Sequence, residues 1–228
     1  MLDYVSPRTS LAAVIPEELS KLLQEEIIYG RLAPSARLTE EEVAKRYGVS
    51  RSPVREALRL LERDGLVLKA ARRGIWVAPL SVADFDEVYS CRVALEGVAA
   101  EQAARAADSE LKKALLATLA EMQTAYAKGD VEEFFRHDVR GSGLIYALAD
   151  NVTLNRLLSG LNKQALRYRY FAYSREAHTL RLSVEGTEEI FAAITASKGK
   201  RAKSLTESLI GQIWTEMRST IAEAFGEG

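Results

Sequence analysis

Apolar positions along the chain change their period and grouping near residue 80. Before it, short amphipathic runs alternate with turn residues; after it, apolar positions recur at helical spacing with few interruptions. Pro7, Pro16, Pro34, Pro53 and Pro79 are the five prolines of the 228-residue chain, so no proline interrupts a helix beyond Pro79. Pro16 suits the first turn of a helix running through Leu19, Leu22, Leu23 and Ile27 and ending at Gly30. Thr39 and Glu42 form a capping-box pattern, which predicts a second helix burying Val43, Ala44 and Tyr47. Gly48 is a left-handed terminator, so Gly48-Val49-Ser50 makes a three-residue turn. A third helix starts at Ser50 or Ser52, tolerates Pro53 in its first turn, and carries Val54, Leu58 and Leu61 on its apolar side. Gly65 ends it. Leu66-Val67-Leu68 and Ile75-Trp76-Val77 then read as two short strands around a basic tip at Ala70-Ala71-Arg72-Arg73-Gly74.

Beyond Pro79 the pattern predicts six helices, at about 84–106, 109–128, 131–149, 153–172, 180–197 and 200–225, with Asp84, Asp108, Asp130 and Thr179 as N-caps. The expected fold is mainly α. A winged helix-turn-helix of three helices and a small β-hairpin wing spans 14–78, and a linker spans 79–83. An antiparallel all-helical bundle follows over 84–226, and residues 1–13 are a loose N-terminal arm.

Composition changes this picture little: 47% hydrophobic and 28% charged residues describe a chain that can bury a core. Neither a secretory signal nor an apolar run of membrane length is visible. The one cysteine, Cys91, reads as a small buried hydrophobe and fits a reducing, cytoplasmic location. Charge distribution is more informative. Residues 45–73 hold nine lysines and arginines against three acidic residues, inside a chain of net charge −1. Such a confined basic patch suits a phosphate backbone, although a solvated helix face would look similar.

The third helix separates these alternatives. Ser52, Arg55 and Arg59 fall opposite its apolar stripe, with Arg51 at its N-terminal end, where a recognition helix meets base edges. Arginine offers a bidentate fork to guanine, while Ser50 or Ser52 and backbone N–H groups can hold a phosphate. Arg72 and Arg73 would reach the DNA backbone or minor groove from the wing.

Gly30-Arg31-Leu32, Leu38-Thr39-Glu40, the run from Gly48 to Leu58, Asp64-Gly65-Leu66-Val67 and Arg73-Gly74 together resemble the GntR-type DNA-binding domain. The resemblance implies operator contacts by Arg51 and Arg55 and a minor-groove position for Gly74. The candidate DNA-facing set is Thr39, Glu40, Ser50, Arg51, Ser52, Pro53, Arg55, Arg59, Arg72, Arg73 and Gly74. Two departures stand out: Glu41 where relatives often carry a basic residue, and Ser35 where they usually have glycine.

Asp86-Glu87-Val88, Arg92 to Glu96, Asp130 to Asp138, Ser183-Val184-Glu185 and Ile190 to Ile194 are similar to the FCD ligand-binding domain of FadR-like members of that family. That resemblance implies a homodimer on a near-palindromic operator, acting as a metabolite-responsive repressor. It implies a central cavity for a small-molecule effector, a carboxylic acid, often held through a metal on one aspartate and three histidines. Asp138 matches the aspartate, but Ser142, Thr187 and Leu209 stand at the histidine positions, so no metal or other cofactor is expected. His137 and His178, the chain's two histidines, are expected at the surface or rim, with His178 in a loop.

The effector-binding candidates are therefore Arg92, Asp138, Ser142 and Thr187. Arg92 is either a carboxylate clamp or an i,i+4 partner of Glu96. The Gly141-Ser142-Gly143 interruption is either a ligand approach or helix packing. Arg167-Tyr168-Arg169-Tyr170, with Tyr173 and Arg175, fits an amphipathic helix with snorkelling arginines better than a polar cavity wall. Two rival functions remain: a regulator whose helical domain only dimerises, and an enzyme in that domain, for which no nucleophile–base pair or phosphate loop is visible.

Overall fold

A computed structural model describes residues 16–70 and 74–226. The expected arm at 1–13 and the candidates Arg72 and Arg73 lie outside the described residues. The chain divides into two compact units, one ending at Pro79 and one beginning at Leu80.

In the first unit, α1 (Pro16–Ile28), β1 (Arg37–Leu38), α2 (Glu40–Tyr47), α3 (Arg51–Arg63), β2 (Val67–Ala70) and β3 (Gly74–Val77) follow in order. Thr39 caps α2: its Oγ1 accepts from Glu42 N at 3.1 Å and donates to Glu42 Oε2 at 2.7 Å, closing the capping box. Gly48 ends α2 at φ 65°, and α3 begins three residues later. The strands form one antiparallel sheet in the order β1-β3-β2, with Leu68 opposite Trp76 and Arg37 on Trp76's other side. β1 is too short to show a period-2 pattern, so two strands were expected and three are found. Ser35, just before β1, sits at φ 63°, a conformation glycine takes without strain. Leu19, Leu23, Val54, Leu58, Leu61 and Val77 are fully or nearly fully buried and join α1, α3 and the sheet in one core.

The second unit consists of α4 (Val82–Arg105), α5 (Ser109–Lys128), α6 (Val131–Ala149), α7 (Val152–Tyr173), α8 (Ala177–Thr195) and α9 (Gly199–Phe225). Its centre is α4, which packs along α9 and also touches α6, α7 and α8. Phe85 stacks between Tyr89 and Tyr168, with ring centroids 4.3 and 5.1 Å away.

Three local expectations are corrected. α4 is capped by Ser81, whose hydroxyl accepts from Asp84 N, and Asp84 instead takes the Tyr168 hydroxyl at 2.7 Å. α8 starts at Ala177, because nothing between Ala177 and Thr179 breaks a helix. Thr179 is therefore buried in the first turn rather than capping it, and His178 is helical rather than in a loop. Cys91 is exposed: Arg92 points inward, and the helical step of about 100° turns its neighbour out to solvent.

Candidate functional site

Thr39, Glu40, Ser50, Arg51, Ser52, Pro53 and Arg55 gather around the N-terminal ends of α2 and α3, with Arg59 one turn further along α3. Burial of Val54, Leu58 and Leu61 orients α3, so Arg51, Arg55 and Arg59 stand out with 61%, 55% and 61% of their side chains exposed. Ser52 is exposed and Pro53 half-buried in the first turn of α3. Ser50 holds the N-cap position with extended backbone, but its side chain makes no capping bond. Thr39 belongs to the α2 cap. Gly74 opens β3 at φ 114°, which disfavours any side chain there.

The exposed arginines are not idle. Arg55 makes a two-pronged pair with Glu40, Nε and Nη2 each 2.9 Å from a carboxylate oxygen, and Arg51 Nη2 lies 2.9 Å from Glu41 Oε2. Arg59 pairs with Glu56 at 2.7 Å. The Arg55 hydrogen bond holds the Glu40 carboxyl below its ordinary range, and Glu40 in turn raises Arg55. Exposed pairs of this kind contribute about 0–1 kcal/mol each, so a guanine edge or a phosphate can replace the carboxylate at small cost.

The second unit contains a partly open cavity of about 60 Å³. All four effector candidates line it: Arg92 from α4, Asp138 and Ser142 from α6, and Thr187 from α8. Arg92 makes the i,i+4 pair, its Nε donating to Glu96 Oε1 at 2.7 Å, and both residues are buried and line the cavity. Its guanidinium also lies 4.7 Å from the Tyr89 ring centroid. Burial works against its charge most strongly, but Glu96 and Tyr89 together outweigh burial and the group remains cationic. Ser142 bonds back to the Asp138 carbonyl at 3.2 Å.

Sequence reasoning missed the cavity's other polar wall. Arg169 is buried, 4% exposed, and its Nη2 donates to Asp138 Oδ2. Tyr173 donates to the same oxygen at 3.0 Å and shares a 2.8 Å bond with Ser183. The snorkelling expectation for this segment is overturned, because Arg167 is also only 4% exposed. A signal was available: residues two apart on a helix point about 200° away from each other, so Arg167 and Arg169 could not share one solvent face. Gly141 settles half of the Gly-Ser-Gly question, since a Cβ there would meet Phe191 Cζ at 2.8 Å, whereas Gly143 has nothing within 4 Å. Helix packing accounts for the first glycine. Nothing in the structure explains the second.

The positions matched to the family's metal ligands, Asp138, Ser142, Thr187 and Leu209, all line this cavity, yet they do not fit a metal. Leu209 has no donor atom, the two hydroxyls are weak ligands, and Asp138 is already bonded to a guanidinium and a phenol. His137 lies between α5 and α6, 3.2 Å from Glu121 and 3.5 Å from Glu133, and is not among the residues that line the cavity.

A winged helix-turn-helix followed by an all-helical unit with a polar-walled cavity is the architecture of a two-part transcriptional regulator. The chain belongs to the GntR family of bacterial regulatory proteins: the gntR-family model matches residues 16–77 and the FCD domain model residues 87–212. Among its relatives, the uncharacterized HTH-type transcriptional regulator YdhC of Bacillus subtilis (strain 168) is 37% identical over 141 residues. That match covers 61% of this chain and 63% of the relative, so it spans less than two thirds of that protein. The HTH-type transcriptional repressor RspR of Escherichia coli (strain K12) is 28% identical over 159 residues, 70% of each chain. In fold, the chain is similar to E. coli McbR/YncC, with a TM-score of 0.80 at 21% identity over 91% of this chain and 99% of that one. A GntR-type putative regulator from Rhodococcus sp. RHA1 gives 0.70 at 22%, over 92% and 98%. No helix among the described residues is long and apolar enough to cross a membrane.

Proposed function

We propose that this chain is a sequence-specific DNA-binding transcriptional repressor. It acts as a homodimer on a near-palindromic operator and is released by a small carboxylic acid bound in the helical unit. The observation that carries the first part is the exposed Ser52-Arg55-Arg59 face of α3, with Arg51 at its start, opposite a fully buried apolar stripe. Arg51 and Arg55 read guanines, Ser50 and Ser52 hold phosphates, and the wing at Gly74, Arg72 and Arg73 follows the adjacent groove. Two readers related by a two-fold axis meet two half-sites, which makes the operator palindromic.

The cavity lined by Arg92, Asp138, Ser142 and Thr187 supports the sensing role. A ligand need only prefer one arrangement of the two readers, with a coupling of about 1–3 kcal/mol, to change operator affinity. Selection of binding sites from a random duplex library tests the reader: a near-palindrome with two copies of one half-site is expected. Enrichment of a single unrepeated site, together with a monomer by sedimentation at micromolar concentration, would overturn the dimeric reading.

A further inference from the structure

We propose that Glu41 is a specificity-determining residue of the DNA reader. Held against Arg51, its carboxylate admits a cytosine at the base pair beside the one Arg51 contacts and turns guanine and thymine away. The inference rests on the DNA-reading role proposed above and goes beyond it by naming a residue that selects bases by exclusion.

Three consecutive glutamates open α2, and each has a different occupation. Glu42 closes the capping box with Thr39. Glu40 is gripped at both oxygens by Arg55, and 30% of its side chain is exposed. Glu41 is 76% exposed and accepts one bond, from Arg51 Nη2 to its Oε2 at 2.9 Å; its Oε1 has no partner among the described residues. A carboxylate in the first turn of a helix also complements the helix dipole, but that benefit needs no contact with α3.

Arg51 opens α3, and the N-terminal residues of a recognition helix are the ones that meet base edges. A carboxylate 2.9 Å from its guanidinium therefore comes to the groove with it. Arg51 can keep this bond and still read a guanine, because a guanidinium has five N–H donors and Glu41 occupies one. A carboxylate has no hydrogen to donate. In the major groove cytosine offers the N4 amino group, guanine presents the two acceptors N7 and O6, and thymine presents O4. Oε1 can accept from a cytosine, whereas guanine or thymine in the same place sets acceptor against acceptor. Adenine, with one donor and one acceptor, falls between. The same charge repels the phosphates of every duplex, so Glu41 lowers affinity in general and least where cytosine stands: selectivity by penalising the wrong partner.

The test is selection from a random duplex library with the full chain, Glu41→Gln and Arg51→Ala, followed by fluorescence anisotropy on duplexes that differ at one base pair. Glutamine keeps the size of the side chain and adds an amide donor, so it removes the exclusion; the Tm of the variant is compared with that of the parent to check its fold. The parent is expected to prefer cytosine to guanine by about tenfold or more at one position of the half-site. That position should adjoin the one at which Arg51→Ala loses its guanine. In Glu41→Gln affinity should rise on every duplex, most of all on guanine, and the cytosine preference should be lost. An equal gain on every duplex with the order of bases unchanged overturns the inference and leaves the reader intact, because Glu41 then acts on phosphates alone. A guanine or thymine preferred by the parent at that position overturns it too, as does a change of preference away from the Arg51 base. Failure of the parent to enrich any sequence overturns the DNA-reading role itself.

Discussion

Gly141 and Gly143 sit two residues apart in α6, and replacing each by alanine should move stability in opposite directions. Alanine in a helix interior is favoured over glycine by about 1 kcal/mol, and both positions would gain this. At Gly143 nothing lies within 4 Å of the new methyl and the position is exposed, so the gain is undiminished. At Gly141 the methyl would sit 2.8 Å from Phe191 Cζ, on a ring that is 2% exposed. Overpacking of this kind costs about 1–3 kcal/mol. The net expectation is a gain of about 1 kcal/mol for Gly143→Ala and a loss of up to about 2 kcal/mol for Gly141→Ala. In a chain of this size each kilocalorie corresponds to about 2–4 °C in Tm. Differential scanning calorimetry of the two variants and the parent reads the difference directly. Because Phe191 also lines the cavity, Gly141→Ala should change the ligand response as well, while Gly143→Ala should not. Equal stabilisation by both substitutions would refute the close approach of Phe191 to Gly141.

Arg51→Ala and Arg55→Ala should each cost about 1–3 kcal/mol of discrimination between operator and random DNA in fluorescence anisotropy. An equal loss on both DNAs would assign these arginines to phosphates instead. Glu41→Gln removes a negative charge 2.9 Å from Arg51 on the DNA-facing surface, so repulsion of the phosphate backbone falls, affinity for any duplex should rise and the salt dependence should steepen; an unchanged log–log slope would contradict this. Arg92→Met leaves Glu96 buried without its partner and should lose about 3–5 kcal/mol by urea denaturation, whereas Arg92→Met with Glu96→Leu should recover most of it. Thr39→Ala removes the α2 cap and should cost about 1 kcal/mol, with no effect on the thermal response to carboxylates.

The DNA-reading unit was largely legible because its determinants are local. A capping box, a left-handed Gly48, an apolar stripe at i, i+4, i+7 and two short apolar runs around a turn each act within a few residues, and together they orient α3. What sequence could not show there was the state of the arginines. Glu40 and Glu41 reach Arg55 and Arg51 across 15 and 10 residues, and only the docking of α2 against α3 brings them within 2.9 Å.

In the helical unit, helix number and extent followed from period, but facing did not. These helices touch neighbours on several sides, so an inward residue cannot be told from an outward one by periodicity alone. Cys91 was placed in the core and stands outside it; Arg167 and Arg169 were placed at the surface and are buried. Arg92, Asp138, Ser142 and Thr187 could be named from resemblance, yet their counter-charges could not. Asp138 meets Arg169 from 31 residues away on another helix. Sequence by itself determined where the chain turns, caps and repeats, since those are short-range properties of backbone and side chain. Tertiary structure alone decided which buried charges neutralise each other, because that depends on how α4, α6, α7 and α8 close around one small space.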